Sequence, residues 1–327
     1  MKLQVPFIQL PLRFDAQVLA DEVVALGESV WRPHPQGFPG NSALPLIAVH
    51  GNPDDDAVQG PMRPTPHLAR LPYVRRVLAS LGAVCGRTRL MRLSGEGEVS
   101  PHVDVDYYWR EHMRVHVPIT TQPDVRFYCG DRSIHMAAGE CWIFDTWQRH
   151  RVVNAARESR IHLVADTVGG AGFWPLVSTS RIPGEPPPDW TPQFIPPLAG
   201  TEQELRFESV NLPAVMSPWE LREHLTFVLD EAEAHPDCAA VQQLAGHFAR
   251  HWRSLWAYYG ESQDGTGEYR SALQTFWQEI HRIGQNIKLR NGVDLPRAMD
   301  RLIIDVAINA DGAPQQADER SASFAMA

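Results

Sequence analysis

Cysteine is scarce: the 327 residues hold Cys85, Cys129, Cys141 and Cys238, and no two form a CxxC pair. That excludes a disulfide-built scaffold and a paired-thiolate zinc ribbon, and reads as reduced, mostly buried thiols of a cytoplasmic protein. Positive charge is also short, with 30 Lys and Arg against 39 Asp and Glu and a formal net charge of −9. A dedicated nucleic-acid binder normally shows a basic excess, so that class is set aside. No apolar run approaches the roughly 18 residues of a membrane span, so no membrane partner is expected. The opening MKLQVPFIQLPLRFD is broken by proline and soon acidic, which fits neither a secretory signal nor a transit peptide. GxSxG and the P-loop are missing as well. The glycines around Gly169–Gly172 lack the GxGxxG spacing and run into Pro175, so they make no phosphate loop.

What is present suits a globular enzyme. The hydrophobic share is 43% and the charged share 21%, enough to bury an ordinary core. The length predicts two domains. Asp15–Glu28 and Pro72–Gly82 carry helical apolar spacing, the second with proline at its start and glycine at its end. Leu44–His50 reads as a short strand. From Thr88 to Val168 the pattern turns to seven or eight short β-rich runs, punctuated by Gly, Pro, Asp and Ser, which means a barrel or sandwich. Pro183–Pro197 is proline-dense and is expected to be an extended connector without regular structure, pinned by Trp190 and Phe194. Helical periodicity returns beyond it, from the Ser217-Pro218-Trp219-Glu220 start onward. The expected organisation is a β body over 1–172, a connector over 173–200, an α-helical domain over 201–310 and a disordered tail over 311–327. Phe248, Trp252, Trp256 and Phe276 read as helical core or as the face of a homodimer.

The β region contains His102-Val103-Asp104 and, further on, His150. Residues two apart on a strand face the same way, so His102 and Asp104 project together and His150 can close the triangle. Two imidazoles and one carboxylate on one side of a metal leave its other side open, the facial arrangement of non-haem Fe(II) oxygenases. An HxD alone is a weak signal. Its strength here comes from the β context, the second histidine and Arg160 just beyond it. His247 and His251 have the helical spacing of a zinc pair but lack the HExxH glutamate and a third ligand, so they are read as a helix flank. Trp142, Trp147 and Trp174 are read as packing residues rather than substrate stackers.

The stretch RLMRLSGEGEVSPHVDVDY, with RVHVPI, GECWIFDTWQRH and SRIHLVADT after it, resembles the aspartyl/asparaginyl β-hydroxylase family. The likeness runs from about Thr65 to Gly169 and is nearest the bacterial free-proline cis-4-hydroxylase branch. It implies a double-stranded β-helix (jelly-roll) core, and with the helical periodicity on either side the expected fold is α+β, with N-terminal helices and a C-terminal helical domain. It also implies Fe(II), with 2-oxoglutarate and O2 as co-substrates. His102, Asp104 and His150 match the iron ligands, and Arg160 matches the arginine that grips the distal carboxylate of 2-oxoglutarate. Arg114 and His116 match positions that hold co-substrate or substrate carboxylate; Arg89, Arg92 and His112 are substrate-binding candidates. Animal members that act on protein domains have glycine where Asp104 stands, so the triad here is complete. His112 stands where an arginine contacts an aspartyl substrate, which weakens the case for that substrate.

The implied activity is hydroxylation of an unactivated carbon in a small carboxylate-bearing molecule, a free amino acid or derivative, proline-like or aspartyl-like. A peptide- or carrier-bound aminoacyl residue is the alternative substrate. Outside this class stand a cupin-like metal isomerase, which has no need of Arg160, and a non-catalytic binding module, which has no need of an intact triad.

Overall fold

The computed structural model describes residues 1–34, 37, 39–185, 189–197, 204–209 and 212–309, so the expected tail lies outside the described residues. The described residues divide into two compact units, one of 1–102 with 111–209 and one of 103–110 with 212–309.

The first unit begins with strand β1 (Phe7–Phe14), helix α1 (Ala16–Leu26), strand β2 (Asn41–Val49) and helix α2 (Pro72–Ser80). Asp15 caps α1 by accepting from the backbone N–H groups of Gln17 and Val18, a contribution of about 1 kcal/mol. Eight strands follow in succession. They are β3 (Val84–Leu93), β4 (Glu98–His102), β5 (Met113–Thr120), β6 (Val125–Cys129), β7 (Arg132–Ile134), β8 (Glu140–Phe144), β9 (His150–Asn154) and β10 (Arg160–Thr167). The large sheet runs β8-β5-β10-β3 at its centre, extended by β1 beyond β8 and by β2 beyond β3. The small sheet runs β4-β9-β6-β7. Apart from the β6–β7 hairpin, consecutive strands from β3 to β10 cross back and forth between the two sheets, which is the winding of a double-stranded β-helix. The single-residue alternation of RVHVPI and RIHLVADT explains the packing: Val115, Val117 and Ile119 are buried on one face, and Arg114 and His116 point to the other. Between the sheets lies a cluster of Phe7, Leu93, Val125, Phe127, Trp142, Phe144 and Val152.

One expectation is corrected. The proline-dense stretch is not wholly irregular, because Gln193–Ile195 pairs in parallel with Leu12–Phe14 of β1. Pro192 and Pro196 flank these three residues, and an edge position tolerates proline that a central strand would not. Trp190 anchors the stretch, donating to the Thr179 carbonyl and stacking under Arg181, whereas Phe194 is half exposed.

The second unit holds the short helix α3 (Tyr107–Glu111, to Arg110) and helices α4 (Pro218–Glu231), α5 (Cys238–Tyr259) and α6 (Thr266–Gly284). Ser217 caps α4 by accepting from the Glu220 N–H, while the Glu220 carboxylate accepts from the Tyr107 hydroxyl at 2.6 Å. Phe248, Trp252 and Phe276 are core residues, with Phe248 and Phe276 stacked at 4.2 Å. The Trp252 indole N–H, which could not be buried unpaired without cost, donates to the Met216 carbonyl at 2.8 Å. Asp106 accepts from the Tyr108 N–H and pairs with Arg301 at 2.8 Å. Among the described residues no helix is long and apolar enough to cross a membrane. All four cysteines are free, and burial pushes the thiols of Cys85 and Cys129 up to about 12.

Candidate metal centre

β4 and β9 pair antiparallel with His102 directly opposite His150, and the two imidazole centroids stand 4.2 Å apart. Each ring is oriented from behind. The Nδ1 of His102 lies 2.8 Å from the Ser100 carbonyl and the Nδ1 of His150 lies 2.9 Å from the Gln148 carbonyl. A carbonyl can only accept, so both Nδ1 atoms carry the proton and both Nε2 lone pairs are left for a metal. β4 ends at His102, and Asp104 comes from the turn after it rather than from the strand itself. The ligand atoms of His102, Asp104 and His150 nevertheless all lie within 4.8 Å of one another. Among the described residues no other group of three or more His, Cys, Asp or Glu gathers this way, His247 and His251 included. Two neutral nitrogens and one carboxylate suit a divalent first-row metal, Fe(II) among them.

Arg160 opens β10 and is 4% exposed. Its Nη1 donates to the Met91 carbonyl at 3.3 Å, its Nε has no partner, and its guanidinium lies 5.1 Å from the centre of the Phe127 ring. Burial alone pulls it down to about 9, with no carboxylate offsetting the shift. A buried cation without a counter-charge is costly, and an anionic ligand removes that cost. The donor set at one end and this arginine at the other therefore fit a metal and the far carboxylate of a dicarboxylic co-substrate.

Residues 57–169 match the aspartyl/asparaginyl β-hydroxylase family model. The matched segment contains His102, Asp104, His150 and Arg160, and with that ligand set it makes the chain an oxygenase of the hydroxylase kind, using Fe(II) and 2-oxoglutarate. Solved structures similar to part of the chain include an oxidoreductase of the 2OG-Fe(II) oxygenase family from Burkholderia pseudomallei, with 17% identity over 52% of this chain and 88% of that one and a TM-score of 0.34. A prolyl-4-hydroxylase from Pseudomonas putida has 13% identity over 50% of this chain and 92% of its own, with a TM-score of 0.34. HygX from Streptomyces hygroscopicus, with nickel and 2-oxoglutarate bound, has 14% identity over 51% of this chain and 83% of its own, with a TM-score of 0.36. No curated protein matches the sequence.

The remaining candidate residues of this hydroxylase segment fall into separate places. Arg114 and His116 face the barrel interior with Arg160, since register sets His116 beside Val164 and Arg114 beside Asp166. Arg114 donates to Asp166 at 3.1 Å, and the Arg87 guanidinium stands 3.8 Å from the same carboxylate. Six residues of strand separate Asp166 from Arg160, about 20 Å along β10, so Arg114 belongs to a second cationic group at the other end. Arg89 is part of that group and is 7% exposed. It is pulled down to about 9, first by burial and then by Arg87, with Asp166 opposing. Arg92, three residues on, lies on the other face of β3, where it pairs with Glu28 at 2.7 Å and stacks on Trp31.

His112 is buried against Glu208, with Nε2 3.0 Å from both carboxylate oxygens. Glu208 is 96 residues away and carries no motif, so sequence reading missed it. Removing one partner leaves the other polar group buried alone; Glu208→Ala is expected to cost about 3 kcal/mol of unfolding free energy, measured by urea titration. A loss within a few tenths of a kcal/mol would show that the pair contributes nothing. Strand alternation puts His162 on the face of Arg160 but gives it no role, and Asp166, on that face by the same alternation, was missed. Arg87 shares its strand face with Arg89 and was missed with it in view.

Proposed function

We propose that this protein hydroxylates an unactivated carbon of a small carboxylate-bearing substrate, a free amino acid or a derivative. The observation that carries this reading is the second cationic group. Arg87, Arg89 and Arg114 gather around the buried carboxylate of Asp166, which engages Arg114 and Arg87. Asp56 also opposes the charge of Arg89 but is itself paired with Arg32 at 3.1 Å, so the three arginines leave an excess of positive charge at the barrel interior. Register connects the group to the metal ligands: Arg89 pairs with Val164 and Val164 with His116, whose ring meets Phe144 at 5.3 Å, and Phe144 meets His150 at 5.0 Å. Arg160 opens β10 and Arg89 faces the same strand at Val164, further along, so the two cations are separated along the barrel. One cation fits the co-substrate's far carboxylate and the other fits the carboxylate of the molecule to be oxidised.

When bound, Fe(II) with 2-oxoglutarate and O2 supplies the oxidation of a C–H bond to an alcohol, with succinate and carbon dioxide as the co-products. The protein's part is placement and shielding. His102, Asp104 and His150 hold the metal, and Arg160 orients the co-substrate. Arg89 fixes the substrate by its carboxylate so that one carbon faces the metal. Phe127 and Phe144 line the interior and keep water out. The deep burial of Arg89 favours a free small molecule over a residue within a peptide or on a carrier.

A screen of free amino acids for substrate-stimulated succinate, with mass detection of a product heavier by one oxygen, tests this. No succinate with any carboxylate-bearing candidate would sink the small-substrate reading. For the substrate so found, Arg89→Met is expected to raise KM roughly a hundredfold, as for loss of a charge-assisted contact in a buried site. An unchanged KM would remove Arg89 from the substrate site.

A further inference from the structure

Six residues line a continuous path from the metal ligands to Arg160. His150 meets Phe144 at 5.0 Å between ring centroids, Phe144 meets His116 at 5.3 Å, and His116 meets His162 at 5.7 Å. His162 stacks on Phe127 at 5.2 Å with the rings 19° apart, and Phe127 lies 5.1 Å beneath the Arg160 guanidinium. Most of this wall is aromatic and ordinary. His162 is not. It is 0% exposed, and neither ring nitrogen has a hydrogen-bond partner among the described residues.

Strand geometry accounts for its position. His162 follows Arg160 by two residues on β10, so both side chains enter the barrel on one face, one repeat apart. Across the sheet, His162 is registered with Pro118 on β5 and with Met91 on β3. Neither a proline nor a methionine side chain offers it a strong hydrogen-bond partner. Burial and the Arg160 charge pull the imidazole well below its usual range, so the ring is neutral and carries one N–H donor and one acceptor nitrogen. A site that served packing alone would be filled better by leucine or phenylalanine, because a buried unpaired polar group destabilises the fold.

Two neighbouring groups thus share one unmet requirement. Arg160 needs a negative charge, and His162 needs an acceptor for its N–H. A carboxylate satisfies both at once, with its two oxygens divided between a guanidinium and an imidazole. We propose that His162 is a second binding residue for the distal carboxylate of 2-oxoglutarate, donating its ring N–H to one carboxylate oxygen while Arg160 holds the other. The proposal rests on the reading of Arg160 as the anchor of that carboxylate.

The test uses the full chain loaded with nickel(II), which does not turn over, and two ligands measured by calorimetry. These are 2-oxoglutarate and 2-oxopentanoate, a five-carbon keto acid without the distal carboxylate. Wild-type protein is expected to bind 2-oxoglutarate far more tightly than 2-oxopentanoate. His162→Phe, which keeps an aromatic ring on Phe127, is expected to weaken 2-oxoglutarate roughly tenfold or more and to leave 2-oxopentanoate unchanged. His162→Gln, which keeps a donor, should recover most of the loss. Equal weakening of both ligands, or of neither, overturns the proposal. Lack of discrimination in the wild type overturns the underlying reading of Arg160 and the proposal with it. Should His162→Phe fail to fold, the zinc(II)-loaded wild type gives a second measurement. The His162 ring 15N signals, assigned with His162→Gln, should move on adding 2-oxoglutarate and stay put with 2-oxopentanoate; signals indifferent to both overturn the proposal.

Discussion

Replacing His150 by alanine is expected to abolish tight metal binding. His150 is one of three donors gathered within 4.8 Å, and its Nδ1 contact with the Gln148 carbonyl holds its Nε2 ready for a metal. Removing an outer-shell hydrogen bond at a metal site costs about 10–100-fold in affinity, and removing the donor itself costs more. A cobalt(II) or iron(II) titration under anaerobic conditions measures the effect directly. The fold is expected to survive, because His150 is the first residue of β9 and the pairing of Val152 and Val153 with both neighbouring strands remains in place. A variant that melts like the wild type and binds no metal isolates the ligand role. Wild-type affinity in that variant would mean that the metal sits elsewhere.

The second large effect is expected at Arg160, and it has two opposite parts. Arg160→Met should raise the half-saturating concentration of 2-oxoglutarate by about two to three orders of magnitude, the cost of losing one partner of a buried charge pair. The same change should stabilise the ligand-free protein. Its guanidinium is 4% exposed, has the Met91 carbonyl as acceptor and is pulled down to about 9 by burial, so methionine relieves an uncompensated cation beside Phe127. The expected signature is a higher melting temperature without ligand and a smaller rise on adding 2-oxoglutarate. A variant less stable than wild type, with unchanged co-substrate dependence, would mean that Arg160 is a packing residue. This opposition between binding and stability is what a site prepared for an absent anion predicts.

Sequence and structure agree most closely where the signals are local. The strands between Val84 and Thr167 were legible from period-two alternation and from turn residues at regular spacing. The helix over Ala16–Leu26 was legible from its apolar spacing, and its aspartate cap fits. His102 and His150 were legible as a pair, and register explains why: they are directly opposed on adjacent strands. Asp104 was read on the strand of His102, yet it comes from the turn beyond. The metal group still gathers because a two-residue separation keeps the side chains near each other with or without a ladder.

Other readings depended on distant partners. That Arg89 and Arg92 fall on opposite faces of β3 follows from parity alone, but which face is interior does not. A slip of one residue in pairing would exchange them, and only the register of β3 with β2 and β10 sets Arg89 inside and Arg92 against Glu28. Arg114 matched, by resemblance, a position that holds co-substrate or substrate carboxylate. The antiparallel register of β5 with β10 puts Arg114 beside Asp166 instead. His112 looked like a pocket residue, and a glutamate almost a hundred positions later takes it up.

The sequence by itself determined the barrel strands, the grouping of His102, Asp104 and His150 as candidate donors, and which residues of β10 share a face with Arg160. These follow from backbone periodicity and donor chemistry, which act over a few residues. The tertiary structure alone decided which cations stay compensated and which do not. Asp166 engages Arg114 and Arg87, Glu208 occupies His112, and Arg160 and His162 are buried without such partners. Charge compensation in a barrel depends on sheet register and on long-range pairing, and neither is written in any local stretch of the chain.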